Sequence, residues 1–184
     1  MVPLADLAQA IGLSTVLVFA AGVLAWLVLP HHRGDMRPLP DEAAALRVLA
    51  AQELRPGVYR FPFEGRPDDR EFLEKIEKGP VGLLTVTRPG HRDVGRAIGL
   101  SLAHGAAVSA LVAFAAGGVL PPGASFAAVF RLAATVAVLA HAGALVPESI
   151  WWGRPWSGTW KAVADGVASG LLTGLAFAWL WPVR

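Results

Sequence analysis

A mainly α-helical membrane protein, with four transmembrane helices and a small α/β insert between the first and second, is the fold class that three observations predict. The chain has 184 residues, of which 54% are hydrophobic and only 16% charged. Its mean hydropathy is +0.50, too apolar for an ordinary soluble domain of this length. Four stretches are long enough to cross about 30 Å of hydrocarbon at about 1.5 Å per helical residue. Most of the charge is gathered in one block between the first and second of these stretches.

The first stretch, Ile11 to Leu29, and the second, Ala97 to Leu120, carry no charge. The third, Phe126 to Val146, contains Arg131, and the fourth, Ala162 to Trp181, contains Asp165. The opening MVPLADLAQA has Asp6 but no Lys or Arg. It lacks the basic segment of a cleavable signal peptide, so the first helix is expected to be retained with its N-terminus translocated. Orientation follows from the basic residues. Of 16 Lys and Arg, 12 lie between helices one and two: Arg33, Arg37, Arg47, Arg55, Arg60, Arg66, Arg70, Lys75, Lys78, Arg88, Arg92 and Arg96. By the positive-inside rule that segment is cytoplasmic. The connection around Pro121, Pro122 and Gly123 is uncharged, whereas the next carries Arg154 and Lys161, which gives the same orientation. Both termini are then expected outside a bacterial cytoplasmic membrane.

The expected division is residues 1–30 for the first helix, 31–95 for the insert and 96–184 for a three-helix transmembrane region. The insert holds 11 acids beside 11 bases, with Arg96 just beyond it, which suits a folded body better than a polybasic tail. Asp41 can cap a helix whose apolar positions Ala44, Leu46, Leu49 and Ala50 recur at helical spacing, ending before Pro56 and Gly57. Val58 to Phe61 reads as a short strand and Pro67 to Lys78 as a second helix, with Phe72, Leu73 and Ile76 on one face. Gly79 and Pro80 stop that helix. Val81 to Thr87 is too short to span and rich in β-branched residues, so it reads as a second strand, closed by a turn at Pro89 and Gly90. Two short strands are too few for independent stability, so the insert needs a further surface.

Within the spans, Gly166, Gly170 and Gly174 recur every four residues in the fourth helix, and Gly105, Ser109, Ala113 and Gly117 do so in the second. Such stripes let backbones approach where no water drives association, and they are expected to serve packing within the bundle, with a homodimer contact as the alternative. Asp165, Ser169 and Thr173 lie at i, i+4 and i+8 on one helix face. Residue counting places Asp165 about 5 Å, His104 about 10 Å and His141 about 8 Å inside the cytoplasmic boundary. These five residues are therefore expected to form an intramembrane polar cluster. It could fix helix register by hydrogen bonds, pass a proton or ion, or hold a haem or a metal ion. Isolated histidines without His-x-x-x-His or Glu-x-x-His spacing signal a metal weakly, so no metal and no cofactor is assigned. Arg131, about 8 Å from the opposite boundary, is expected to snorkel outward or meet a lipid phosphate. The adjacent pair His31 and His32 points in different directions with no evident third ligand, and it reads as an interfacial pair.

The absence of cysteine removes disulfides, thiolate zinc sites, iron–sulfur clusters and cysteine nucleophiles. No glycine-rich loop matches a phosphate or dinucleotide fingerprint, no serine sits in a nucleophile elbow, and the His91-Arg92-Asp93 string has none of the elements around a kinase catalytic loop. No enzyme activity is assigned. Basic residues are not interleaved with aromatics, which argues against nucleic acid. Trp151, Trp152, Arg154 and Trp156, between helices three and four, suit an interfacial anchor whose indoles sit at headgroup depth and whose guanidinium reaches phosphate or stacks on a ring. Trp179 and Trp181 would supply the belt on the other face.

The string ESIWWGRPWS, followed by Lys161, Asp165-Gly166 and the terminal Trp179-Leu180-Trp181-Pro182, joins Gly57-Val58-Tyr59-Arg60-Phe61-Pro62 and Lys78-Gly79-Pro80-Val81-Gly82. Together they resemble an uncharacterised group of small bacterial membrane proteins carrying an IWWGRPW segment. The resemblance implies one helix, a cytosolic insert and three further helices, and it implies no activity. The function expected is therefore that of a non-catalytic accessory, assembly or scaffold component of a membrane complex, in contact with lipid and with other membrane or cytoplasmic subunits. Proton- or ion-coupled transport by an oligomer is the alternative, and a haem-bearing electron-transfer subunit a third.

Overall fold

The computed structural model describes residues 1–63, 65–66, 68–90 and 93–183. The expected helix start at Pro67 and the first two residues of the His91-Arg92-Asp93 string lie outside the described residues. The chain divides into a helical unit, residues 1–35 and 93–184, and a second unit, residues 36–92. His31 to Asp35, expected within the insert, therefore belong with the helices.

The helical unit contains four helices long and apolar enough to cross a membrane. The first is α1 (Ala8–Val23), entered through a 3-10 turn at Leu4–Leu7 and continued by a π-helical turn at Leu24–Val28. The second is α4 (Val94–Val119), started by the Asp93 carboxylate, which accepts from the Arg96 N–H. The third is interrupted: α5 (Phe126–Ala142) ends beside Gly143, and α6 (Leu145–Trp152) follows. Pro147 explains the break, because proline has no N–H to give the carbonyl four residues back, which belongs to Gly143. The residues read as a connection, Glu148 to Trp152, are thus helical. Gly153 closes α6 in the left-handed conformation at φ 71°, where glycine carries no side-chain penalty. The fourth, α7 (Trp156–Trp179), starts behind Pro155.

Helix α7 packs most extensively on α5 and next on α1, which also packs on α4. The α5 contact is made by the glycine row. A Cβ added at Gly166 would lie 3.0 Å from the His141 carbonyl oxygen, at Gly170 2.7 Å from the Val138 nitrogen, and at Gly174 2.7 Å from the Ala134 Cβ. The second stripe faces other partners. Gly105 packs on Thr15 of α1, and Gly117 lies under the Val2 carbonyl, 2.6 Å from where its Cβ would be. Ser14 and Ser109 join their buried hydroxyls at 2.7 Å across α1 and α4.

The apolar core gathers at one end of the bundle, where Leu7, Val112, Ala116, Val129, Ala133 and Phe177 are buried. Trp181 belongs to it. It is 7% exposed and its indole N–H donates to the Pro121 carbonyl at 3.0 Å, so it plugs the α4–α5 connection instead of joining Trp179 in an aromatic belt. Trp179, 74% exposed, does face outward.

In the second unit, α2 (Glu42–Ala51) starts at Asp41, whose carboxylate accepts from the Ala44 N–H, and α3 (Arg70–Lys78) starts at Asp69. Strands β1 (Gly57–Phe61) and β2 (Gly82–Val86) pair antiparallel, with Tyr59 opposite Leu84 and Phe61 opposite Gly82. The Phe61 ring lies over Gly82. One sheet face carries Tyr59, Phe61, Leu84 and Val86, the other Val58, Arg60, Leu83 and Thr85. Salt bridges Lys75–Glu71, Arg70–Glu74 and Lys78–Glu74 run along α3 at i, i+4. No described residue of 36–92 is buried.

The glycine contacts generate a direct expectation. Gly170→Ala should lower stability by about 1–3 kcal/mol through overpacking, whereas Gly118→Ala, which meets nothing within 4 Å, should be neutral or slightly stabilising. Thermal unfolding of the two variants in detergent measures the difference.

Candidate functional site

The site is a knot of charged and imidazole side chains at the end of the bundle opposite the apolar core. It forms where the chain leaves α1. The π-turn is closed by the Leu29 N–H donating to the Leu24 carbonyl five residues back at 2.8 Å, after which Leu29 is extended and Pro30–His32 make a 3-10 turn. The Asp35 N–H then donates to the His32 carbonyl at 3.0 Å. This tight return brings both imidazoles to one side, with ring centroids 4.2 Å apart. The Trp26 indole, carried by the π-turn, lies flat on the His32 ring at 4.0 Å with 3° between the planes.

Helix α7 supplies the facing groups. Gly158, Lys161 and Asp165 fall at i, i+3 and i+7, one face of a helix. Asp165 divides its carboxylate between the histidines, one oxygen 3.2 Å from His31 Nε2 and the other 2.6 Å from His32 Nε2. His32 Nδ1 is 2.6 Å from one Asp35 oxygen, and the Lys161 ammonium donates to the other at 2.6 Å. At Gly158 the Asp35 carboxylate lies 3.7 Å from the place a Cβ would take. The absence of a side chain there leaves Asp35 room against the helix. His32 is the buried centre of this chain, while His31 and Asp165 keep about a third of their side-chain surface open, 32% and 30%.

Electrostatics follow from the count of charges. Burial of His32 opposes its protonation, but hydrogen bonds and charge from Asp35 and Asp165 outweigh that cost, and its pKa is raised above 6.5. Hydrogen bonds from His32 and Lys161 hold the Asp35 carboxyl below 3.8. When His32 is protonated, its imidazolium and the Lys161 ammonium face the Asp35 and Asp165 carboxylates. Chemically it can hold a proton among its members, or it can offer one ring nitrogen each of His31 and His32 and an Asp165 oxygen, mutually within 4.8 Å, to a cation.

The expected five-residue cluster is divided in the structure. Asp165 turns to His31 and His32, and among the described residues no hydrogen bond joins it to His104 or His141. Those two meet edge-to-face with ring centroids 6.3 Å apart, His104 exposed and His141 half-buried. Thr173 is buried and donates to the Ser169 carbonyl at 3.0 Å, which satisfies its hydroxyl within α7. Trp151, Trp152 and Trp156 are exposed, Arg154 is half-buried, and Trp156 stacks on Trp160 at 5.8 Å. Arg131 is exposed and lines an open groove of about 380 Å³ with Phe130, Ala134, Thr135, Val138, Leu139 and Leu171. The reading of His31 and His32 as a pair without a third ligand is corrected by Asp165. Sequence reasoning passed over Trp26, Asp35 and Lys161. The available signals were the i, i+3 spacing of His32 and Asp35 and the i, i+4 spacing of Lys161 and Asp165.

The groups facing His32 are Trp26, His31, Asp35 and Asp165, with Lys161 behind Asp35. The stabilisation tied to its raised pKa is complete below about pH 6.5 and fades as pH rises through the folded value. That tied to Asp35 is complete above about pH 3.8 and fades as pH falls through its lowered value. The melting temperature in detergent should therefore be higher at pH 6 than at pH 9, and His32→Gln should flatten this alkaline decline. No protein-family model, curated protein or solved structure matches the chain, so its function has to come from this arrangement.

Proposed function

We propose that the protein is a non-catalytic accessory or scaffold component of a bacterial cytoplasmic membrane, in which the helical unit anchors the chain and residues 36–92 dock a partner subunit. The observation that carries this reading is that no described residue of 36–92 is buried, although the segment has two capped helices and a paired sheet. Val58, Phe61, Phe63, Leu83 and Val81 are each 40% exposed or more. A unit of this size that buries so little apolar surface gains too little to offset its ordering entropy alone, so a protein surface that covers it is the natural complement. The knot supports the same reading, because it pins Asp35, the residue directly before this unit, to α7 through Lys161.

In this reading the segment is cytoplasmic and both termini are external, on the strength of the basic residues concentrated in it. The chain is free of cysteine, which makes the topology directly testable. A cysteine placed at the exposed Glu77 should react with an impermeant maleimide only after the membrane is opened, and one placed at Pro122 should react in intact cells. Purification in mild detergent should yield a partner chain at fixed stoichiometry, lost on Phe63→Ser and Val58→Ser with the yield of this chain unchanged. A partner-free preparation showing ion flux sensitive to Asp165→Asn would replace this reading with a coupled carrier. A Soret band would replace it with haem held by His104 and His141.

A further inference from the structure

We propose that His31, His32 and Asp165 form a binding site for a divalent first-row transition-metal ion, of the Zn²⁺ or Co²⁺ kind, at the α1 exit. Two imidazole nitrogens and one carboxylate oxygen are a donor set such ions favour, and three protein ligands leave a coordination position open. The donors already converge. Asp165 lies 2.6 Å from His32 Nε2 and 3.2 Å from His31 Nε2, and the three ligand atoms lie within 4.8 Å of one another. Metal–ligand bonds of about 2.0–2.1 Å in tetrahedral geometry need ligand atoms about 3.3 Å apart. The His32–Asp165 contact has to open and the widest pair, within 4.8 Å, has to close to reach that spacing, and the partly exposed His31 and Asp165 side chains have room to make the adjustment.

The surroundings carry the proposal beyond a chance meeting of three side chains. Metal-bound histidines generally donate their other ring nitrogen to a carboxylate, which fixes the tautomer and the ring plane. His32 has this arrangement: Nδ1 bonds Asp35 at 2.6 Å while Nε2 faces Asp165, and Asp35 is in turn fixed by Lys161. Trp26 closes one face of the ring. Asp35 is a positioning residue here: both its oxygens are engaged, by His32 and Lys161, and Asp165 is the carboxylate among the described residues that meets both imidazoles. The open side of the site lies along His31 and Asp165, which gives the ion a way in. His104 and His141, which meet each other without a third donor in hydrogen-bond contact among the described residues, make the internal comparison.

The test uses the full-length protein in detergent, with any purification tag removed and metals stripped by a chelator, titrated with Co²⁺ and Zn²⁺ alone. One ion per chain is expected, with visible Co²⁺ absorption of the intensity that four- or five-coordinate sites give. His31→Gln and Asp165→Asn should each weaken binding by about 10–100-fold, and Asp35→Asn by a similar factor through loss of ring orientation. Asp165→His, which restores a ligand, should keep binding, and His104→Ala should leave it unchanged. Melting curves without metal identify any variant that fails to fold, and His31→Gln, at a partly exposed ligand, then stands in for Asp165→Asn. Absence of stoichiometric binding, or binding equal in His31→Gln, Asp165→Asn and the native chain, would overturn the proposal. Neither result touches the partner chain sought by co-purification, so the two readings fail separately.

Discussion

The close approach of α7 to α5 is the constraint from which most of the helical unit follows. Without water to drive helices together in hydrocarbon, association depends on surfaces that fit. Here Gly166, Gly170 and Gly174 bring one backbone against Ala142, Val138 and Ala134 of the other. That contact fixes the rotation of α7. Successive residues are about 100° apart on a helix, so once Gly166 faces α5 the neighbouring Asp165, with Lys161 and Gly158, is turned away from α5 and toward the exit of α1. A carboxylate there needs donors, and the returning chain supplies two imidazoles. The glycine row and the polar knot are thus two faces of one rotational choice.

The broad architecture was legible because it depends on properties that act over many residues. Four apolar lengths, the Asp41 cap, the two strands and the stop at Gly79 each rest on local periodicity or turn chemistry; the cap, strands and stop lie within a residue or so of their expected bounds, while the first and fourth spans begin well before theirs, at Leu4 and Trp156. The third helix ran further than its apolar stretch suggested. Pro147 interrupts hydrogen bonding without ending helical direction, so the tryptophan-rich string became α6 and the start of α7 instead of a loop.

The knot was not legible, for a definite reason. Depth arithmetic treats residues as points along straight helices and can tell which groups share a level, but not which neighbours share a face. His104, His141 and Asp165 satisfied the first criterion and not the second. His31 and His32 were discounted because neighbouring side chains diverge in extended or α-helical backbone. They converge here because a π-turn followed by a 3-10 turn curls the chain back on itself, a conformation no composition signal announces. Trp181 was misplaced in a similar way: its indole is apolar enough for a membrane boundary, but the Pro121 carbonyl, which accepts from it as well as from the Ala124 N–H, holds it inward.

A π-turn spends about one residue more per turn than the α-helix that leads into it here. The segment Leu24–Val28 therefore has the form of one extra residue accommodated at the end of a regular helix. The body of α1 before it keeps its packing on α4 and α7 whether or not the extra residue is present, but everything after it is swung around the helix axis. Loss of that residue would leave a bundle of the same outward shape whose imidazoles no longer met α7. The knot thus depends on the frame of this one turn and is separable from the fold that carries it.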